Sequence, residues 1–393
     1  MSNSVFSPWP SFTQEEADAV QRVLLSNKVN YWTGEECRSF EKEFAAYTDC
    51  DHAIALANGT VALDLALKVL DIGPGDEVIV TSRTFVASAS CIVNSGARPI
   101  FADVDRNSQN ITSDSIMRVL TPRTKAIICV HLAGWPCDMH SIMELAEYRD
   151  IAVIEDCAQA HGATISGQSV GSFGHIGCWS FCQDKIMSTG GEGGMVTTRD
   201  TKLWSAMWSF KDHGKSWDAV YAKHHAPGFR WVHESFGTNM RMTEMQAVIG
   251  RIQLQRLDDW RKSRQAIAEQ IYLAAAQAGV YRVPSLPYSI EHAWYKCYLF
   301  VDETQLKPGW DRDRILAAIM ERGVPCFSGS CSEVYLEKCF QKAALGPVDR
   351  LPVAKELGET SLMFMVHPTL TSENVSKTLK VIKEVAEISK SSI

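Results

Sequence analysis

Between residues 53 and 156 short apolar runs take turns with helical segments, and this alternation limits the fold more than any other feature of the chain. Ala53 to Ala57, Glu77 to Val80, Pro99 to Asp103, Ala126 to His131 and Ile151 to Ile154 read as strands. Between them, the segment opened by Asn58, then Phe85 to Asn94, Ser113 to Leu120 and Met139 to Tyr148 read as helices. Apolar strands separated by helices predict a mostly parallel sheet covered on both faces. Ligands of such sheets bind beyond the carboxyl ends of the strands. The segment Thr81 to Phe85, His131, Asp156 and the loop after Ala57 all fall at such ends.

The remainder of the chain has a different texture. A capping box at Thr13 and Glu16 starts a first helix, and one at Thr243 and Gln246 starts a long one bearing Met245, Val248, Ile249 and Ile252. That helix is expected to leave the first domain near residue 262. Beyond it, Tyr295 to Val301 reads as a strand, Asp311 to Arg322 and Glu373 to Ile388 as helices, and Leu336 to Leu357 as irregular. The expected division is therefore a large domain over residues 1–262 and a smaller α+β domain over residues 263–393.

Composition removes several function classes. The 393 residues are 46% hydrophobic and 22% charged with a net charge of -7, an ordinary soluble balance that does not suit a nucleic-acid binder. No apolar run approaches the ~20 residues of a membrane span, and the first residues lack the basic start and apolar core of a signal peptide. A cytoplasmic protein is expected, with its 12 cysteines as reduced thiols. No His/Cys grouping has zinc-ligand spacing, so no metal is expected. Lys211, His213, Lys215 and Arg230 form a local basic stretch, readable either as an anion contact or as a solvated loop.

The chemistry centres on Lys185, a lone amine followed by Gly190, Gly191, Gly193 and Gly194. No phosphate loop is present: five positions before Gly214, in the one Gly-Lys-Ser triplet, stands Ser209. The dinucleotide fingerprint begun at Gly191 and Gly193 ends on Val196. Gly59 and Thr60 open a helix and offer free N–H groups and a hydroxyl, a ready anion site or an ordinary capped turn. Asp156 ends an apolar strand and needs a cationic or donor partner. A phosphate cradle, an aromatic plate at Phe85, a buried carboxylate and one lysine together are what pyridoxal phosphate requires.

Five ordered segments carry a family resemblance: residues 58–63, 83–87, 155–162, 180–194 and 237–243. The chain resembles the DegT/StrS group of pyridoxal-phosphate-dependent sugar aminotransferases. The resemblance implies an α/β, aspartate aminotransferase-like fold (fold type I), with a mixed, mostly parallel sheet flanked by helices and a smaller C-terminal α+β domain. It makes Lys185 the Schiff-base lysine, Asp156 the partner of the ring nitrogen and Gln159 a neighbouring polar contact. Gly59, Thr60 and Ser180 would bind the phosphate, and Phe85 would stack on the ring. Asn239 would reach the phosphate of the partner subunit, placing the active site at a homodimer interface. The glycines after Lys185 would let backbone pass close to the cofactor.

The implied reaction is a ping-pong transfer of an amino group from L-glutamate to a keto-sugar, in making aminosugars for lipopolysaccharide or other surface glycans. The acceptor is either a nucleotide-linked keto-sugar or a free sugar acid such as 8-oxo 3-deoxy-manno-octulosonic acid. The stretches at Asn30 to Gly34, His131 to Cys137 and Val366 to Thr369 depart from the forms associated with nucleotide sugars. Tyr31 and Trp32 read as sugar-pocket or as packing residues. A family subgroup that replaces the lysine by histidine performs dehydration, and a non-catalytic binder on the same scaffold is the rival from another class. Retention of Lys185 and Asp156 weighs against both.

Overall fold

A computed structural model describes residues 6–226 and 228–391. Its centre is a sheet built from β1 (His52–Leu56), β2 (Glu77–Thr81), β3 (Arg98–Ala102), β4 (Thr124–Val130), β5 (Ala152–Asp156), β6 (Ile176–Ser180) and β7 (Gly194–Thr198). Their spatial order is β1-β7-β6-β5-β4-β2-β3. All neighbours pair in parallel except β7, which runs against both β1 and β6. The carboxyl ends of β1, β2, β4, β5 and β6 therefore share one edge of the sheet, and the amino end of β7 joins them there.

Helices cover both faces, as the continuous apolar strands require. On one face, α1 (Gly59–Val69), α2 (Ala87–Asn94) and α4 (Thr201–Lys211) pack on Ile54, Val78, Val80, Ile128 and Ile154. On the other, α3 (Met139–Arg149) covers Ile79, Ile127 and Val153. Helix α1 is apolar nearly all round and buries Leu63, Leu65 and Leu67. At roughly 1.5–3 kcal/mol for each leucine, this burial fixes the helix whose first turn faces the shared edge.

The long helix α5 (Glu244–Ala278) starts at the expected Thr243–Gln246 capping box and ends on Gly279 in the left-handed conformation at φ 76°. Along it the packing partner changes. Ala247, Leu254 and Leu257 belong to the core beneath the large sheet. Ile267, Ala268, Ile271 and Ala275 belong to a second core around an antiparallel sheet that includes Cys297–Val301 and Ser361–Phe364. Residue 262 lies inside this helix, between the two sets. The stretch from Leu336 to Leu357, expected to be irregular, contains helix Lys338–Lys342 and the start of helix Pro352–Thr360. Pro352 stands in the first turn of the latter, where a missing N–H costs nothing. Among the described residues no helix is long and apolar enough to cross a membrane.

Candidate active site

The shared strand edge opens into a cleft of roughly 1140 Å³, closed on its far side by the smaller sheet. Gly59, Thr60, Phe85, Asp156, Gln159, Ser180 and Lys185 all line it. Residues far apart in sequence meet there because the carboxyl ends of their strands do.

At one end, Asn58 caps α1 by accepting the Val61 N–H at 3.0 Å. The Gly59 and Thr60 N–H groups come earlier in the helix and have no intrahelical acceptor. A Cβ on Gly59 would stand 2.6 Å from the Ser180 Cβ, so only glycine leaves this cradle open. Gly194 packs against the same turn: its Cβ would stand 2.3 Å from the Asn58 carbonyl oxygen. The expected steric role of the glycines after Lys185 is thus exercised partly against the chain itself. Gly191 adopts φ 115°, which a side chain would strain.

Asp156 stands at the centre. Its Oδ2 accepts from the Ser88 hydroxyl at 2.7 Å and its Oδ1 from the Ala158 N–H at 3.2 Å. Burial pushes its pKa up, against the pull of Ser88, Ala158, Lys185 and His131. An acid held this way favours a cationic donor in front of it. Gln159 Oε1 accepts the Ala133 N–H at 2.8 Å, which leaves its amide nitrogen as a donor. Phe85 is 66% exposed, with its ring uncovered at the cleft mouth.

Behind Asp156 lies a buried network that the sequence did not reveal. His131 Nδ1 accepts the Cys137 N–H at 3.0 Å, so the proton sits on Nε2 and is donated to Glu155 Oε2 at 3.0 Å. Glu155 also accepts from the N–H groups of Gly171, Phe173 and Gly174. His131, Glu155 and Cys157 are the grouping of potential metal ligands among the described residues, and these hydrogen bonds already engage both imidazole nitrogens and both carboxylate oxygens.

Lys185 is held through its backbone. The Trp9 indole N–H donates to its carbonyl oxygen at 2.8 Å. Its ammonium lies 5.1 Å from the centre of the Tyr295 ring. Tyr295 donates its hydroxyl to Asp184. Burial raises the Asp184 pKa, but Lys185, Tyr295 and Lys296 outweigh it and hold this carboxyl below the usual range. Tyr295, Lys296, Tyr298, Ser330, Met363 and Met365 supply the far wall. No sequence pattern marked them, because the smaller sheet brings them in by tertiary packing.

Other candidates lie elsewhere. Asn239 is exposed and does not line the cleft of its own chain; its side-chain oxygen accepts the Arg241 N–H at 3.3 Å. Tyr31 is 1% exposed and bonds Glu41 and Trp208, a packing role. Lys211, considered for an anion contact or a solvated loop, is fully buried over the Tyr31 ring at 3.4 Å. Lys215 pairs with Asp212 at 3.1 Å.

Residues 10–383 match the model of the DegT/DnrJ/EryC1/StrS aminotransferase family. The chain belongs to this family. An aminotransferase from Psychrobacter cryohalolentis superposes with a TM-score of 0.96 at 63% identity, covering 97% of this chain and 98% of its own. UDP-N-acetyl-3-dehydro-alpha-D-glucosamine 3-aminotransferase of Acidithiobacillus ferrooxidans is 37% identical over 360 residues, 91% of each chain. GDP-perosamine synthase of Escherichia coli O157:H7 is 35% identical over 379 residues, 95% of this chain and 96% of its own. The fold is that of fold type I pyridoxal-phosphate enzymes. This DegT/DnrJ/EryC1/StrS protein is a pyridoxal-phosphate-dependent aminotransferase. The open cradle at Gly59 and the buried acid at Asp156 fit that cofactor.

Proposed function

We propose that this protein transfers an amino group from L-glutamate to a keto-sugar, in aminosugar biosynthesis for lipopolysaccharide or another surface glycan. The reading rests on Lys185 and Asp156 lining one cleft with an anion cradle at its end. The relatives named for nucleotide-linked sugars support a nucleotide-linked acceptor. A free sugar acid such as 8-oxo 3-deoxy-manno-octulosonic acid is the acceptor to set against it.

Pyridoxal phosphate, when bound, supplies an electrophilic aldehyde and a ring that takes up electron density from the carbon being aminated or deaminated. The chain does the rest. The N–H groups of Gly59 and Thr60 and the hydroxyls of Thr60 and Ser180 would hold the phosphate. Phe85 would cover a face of the ring, and Gln159 would donate to it. Asp156 would keep the ring nitrogen protonated through a charge-assisted hydrogen bond, a contribution of about 1.5–3 kcal/mol. Lys185 would hold the cofactor covalently and would supply the amine that moves a proton at the reacting carbon. As a base that amine must be neutral.

We assign the cofactor domain to residues 1–262 and the smaller domain to residues 263–393. The active enzyme is read as a cytoplasmic homodimer in which Asn239 of each subunit serves the other's phosphate site; the exposure of Asn239 outside its own cleft is compatible with this role. The test is spectroscopic. L-Glutamate added to holoenzyme should remove the visible cofactor absorbance and release 2-oxoglutarate, and a keto-sugar should restore it. A panel containing nucleotide-linked and free keto-sugars names the acceptor class. Unchanged absorbance with every amino donor tried would refute the reading and favour a binding protein.

A further inference from the structure

Lys185 has a neighbour of the same charge in the cleft. Lys296 immediately precedes the strand Cys297–Val301 and lines the cleft beside Tyr295. Its ammonium lies 4.7 Å from the Tyr295 ring centre, on which the Lys185 ammonium also bears at 5.1 Å. The two amines are therefore no more than about 10 Å apart.

Among the described residues the Lys296 ammonium donates a hydrogen bond only to the Met365 sulfur, at 3.5 Å. A thioether is a weak acceptor and does not offset the loss of water around an ammonium. Of the four acids that line the cleft, Glu192 and Glu337 are exposed and Asp156 and Asp184 are otherwise engaged. Asp156 accepts from Ser88 and Ala158, and Asp184 accepts from Tyr295. Among the described residues no carboxylate stands within ion-pairing distance of Lys296. Burial pushes the Lys296 pKa down to about 8, with Asp184 acting against the shift and Arg264 and Lys185 adding to it. Arg264 is itself buried, and among the described residues it donates only to the Trp294 and Tyr295 carbonyl oxygens. The chain thus places Lys296, without an ion-pair partner among the described residues, beside Lys185.

We propose that Lys296 is the carboxylate receptor of this cleft. Its ammonium binds the carboxylate of a small-molecule substrate, either that of the amino donor or one carried by the sugar acceptor. The proposal rests on the aminotransferase reading. A single ammonium suits one carboxylate better than a diphosphate, which is matched by forked or multiple donors.

The experiment compares holoenzyme carrying Lys296→Met, Lys296→Arg and the original lysine. Glutarate, an unreactive dicarboxylate, is titrated by calorimetry, and each half-reaction is followed in single turnover. Lys296→Met should weaken glutarate binding about tenfold or more, while Lys296→Arg keeps most of it. Affinity of the original enzyme should fall as pH rises through about 8, and Lys296→Met should remove that dependence. In single turnover the loss should appear as a raised half-saturation concentration with the limiting rate nearly unchanged. A loss confined to the L-glutamate half-reaction makes the donor the source of the carboxylate. A loss confined to sugar acids makes it the acceptor. Unchanged binding in Lys296→Met overturns the proposal, as does an equal loss with uncharged keto-sugars. If the original enzyme turns over nothing yet binds glutarate through Lys296, the aminotransferase reading falls and the receptor stands.

Discussion

Replacing Gly194 by alanine tests how the glycine cluster after Lys185 serves the cofactor. The added Cβ would stand 2.3 Å from the Asn58 carbonyl oxygen, 2.4 Å from its carbon and 2.9 Å from the Gly59 nitrogen. Ordinary contact begins near 3.4 Å, so the two backbones must separate by roughly 1 Å. Strand β7 resists moving, because Gly194 is paired with Leu56 on one side and Ser180 on the other. The Asn58 turn is the part that yields, and it carries the Gly59 and Thr60 N–H groups away from the phosphate position. Overpacking of this kind costs about 1–3 kcal/mol of stability. Losing one hydrogen bond to a charged phosphate costs about 1.5–3 kcal/mol of binding, which raises the dissociation constant for pyridoxal phosphate about 10- to 150-fold. The assay is titration of apoprotein with the cofactor, followed by absorbance, alongside thermal unfolding of the apoprotein. Gly191→Ala is the control. Its φ of 115° strains any side chain, by about 1–2 kcal/mol, but its Cβ would meet no atom within 4 Å. It should lose stability and keep cofactor affinity. Folded Gly194→Ala that binds within about threefold of the original, or Gly191→Ala that binds equally poorly, would refute the reasoning.

Glu155→Ala leaves the buried Gly171 N–H and His131 ring and the partly buried Phe173 and Gly174 N–H groups without their acceptor, and urea unfolding should show a loss of about 3 kcal/mol or more. Asp156→Asn leaves the Ser88 and Ala158 contacts a similar shape but cannot keep the ring nitrogen cationic, so amino transfer should fall about 10²- to 10⁴-fold while the holoenzyme still forms. Lys296 binds its proton more weakly folded than unfolded, its pKa falling from 10.5 to about 8. Between those values the unfolded chain holds more protons, so this group makes stability rise with pH across about 8 to 10.5, a rise that Lys296→Met should flatten in denaturant titrations.

The chain declared much of this protein locally. Strand runs and capping boxes follow from side-chain period and hydrogen-bonding groups a few residues apart, so the order of elements through Asp156 and the start of α5 at Thr243 were legible. Gly59, Thr60, Phe85 and Asp156, which line the cleft, could be placed at strand ends, which converge in a parallel sheet, whereas Gln159 and Ser180 were named only through the family resemblance. What lay beyond reach depended on distance along the chain. Nothing near Lys296 says that it lines a cleft with Lys185, and nothing near Glu155 says that three N–H groups from residues 171–174 will neutralise its burial. The basic look of Lys211 and Lys215 suggested an anion contact or a solvated loop, whereas Lys211 is packed under an aromatic ring and Lys215 is paired with Asp212. Period and capping are short-range physics that a sequence carries in itself. Which charge is buried, paired or left free is set by what packs against it, and only the folded chain decides that.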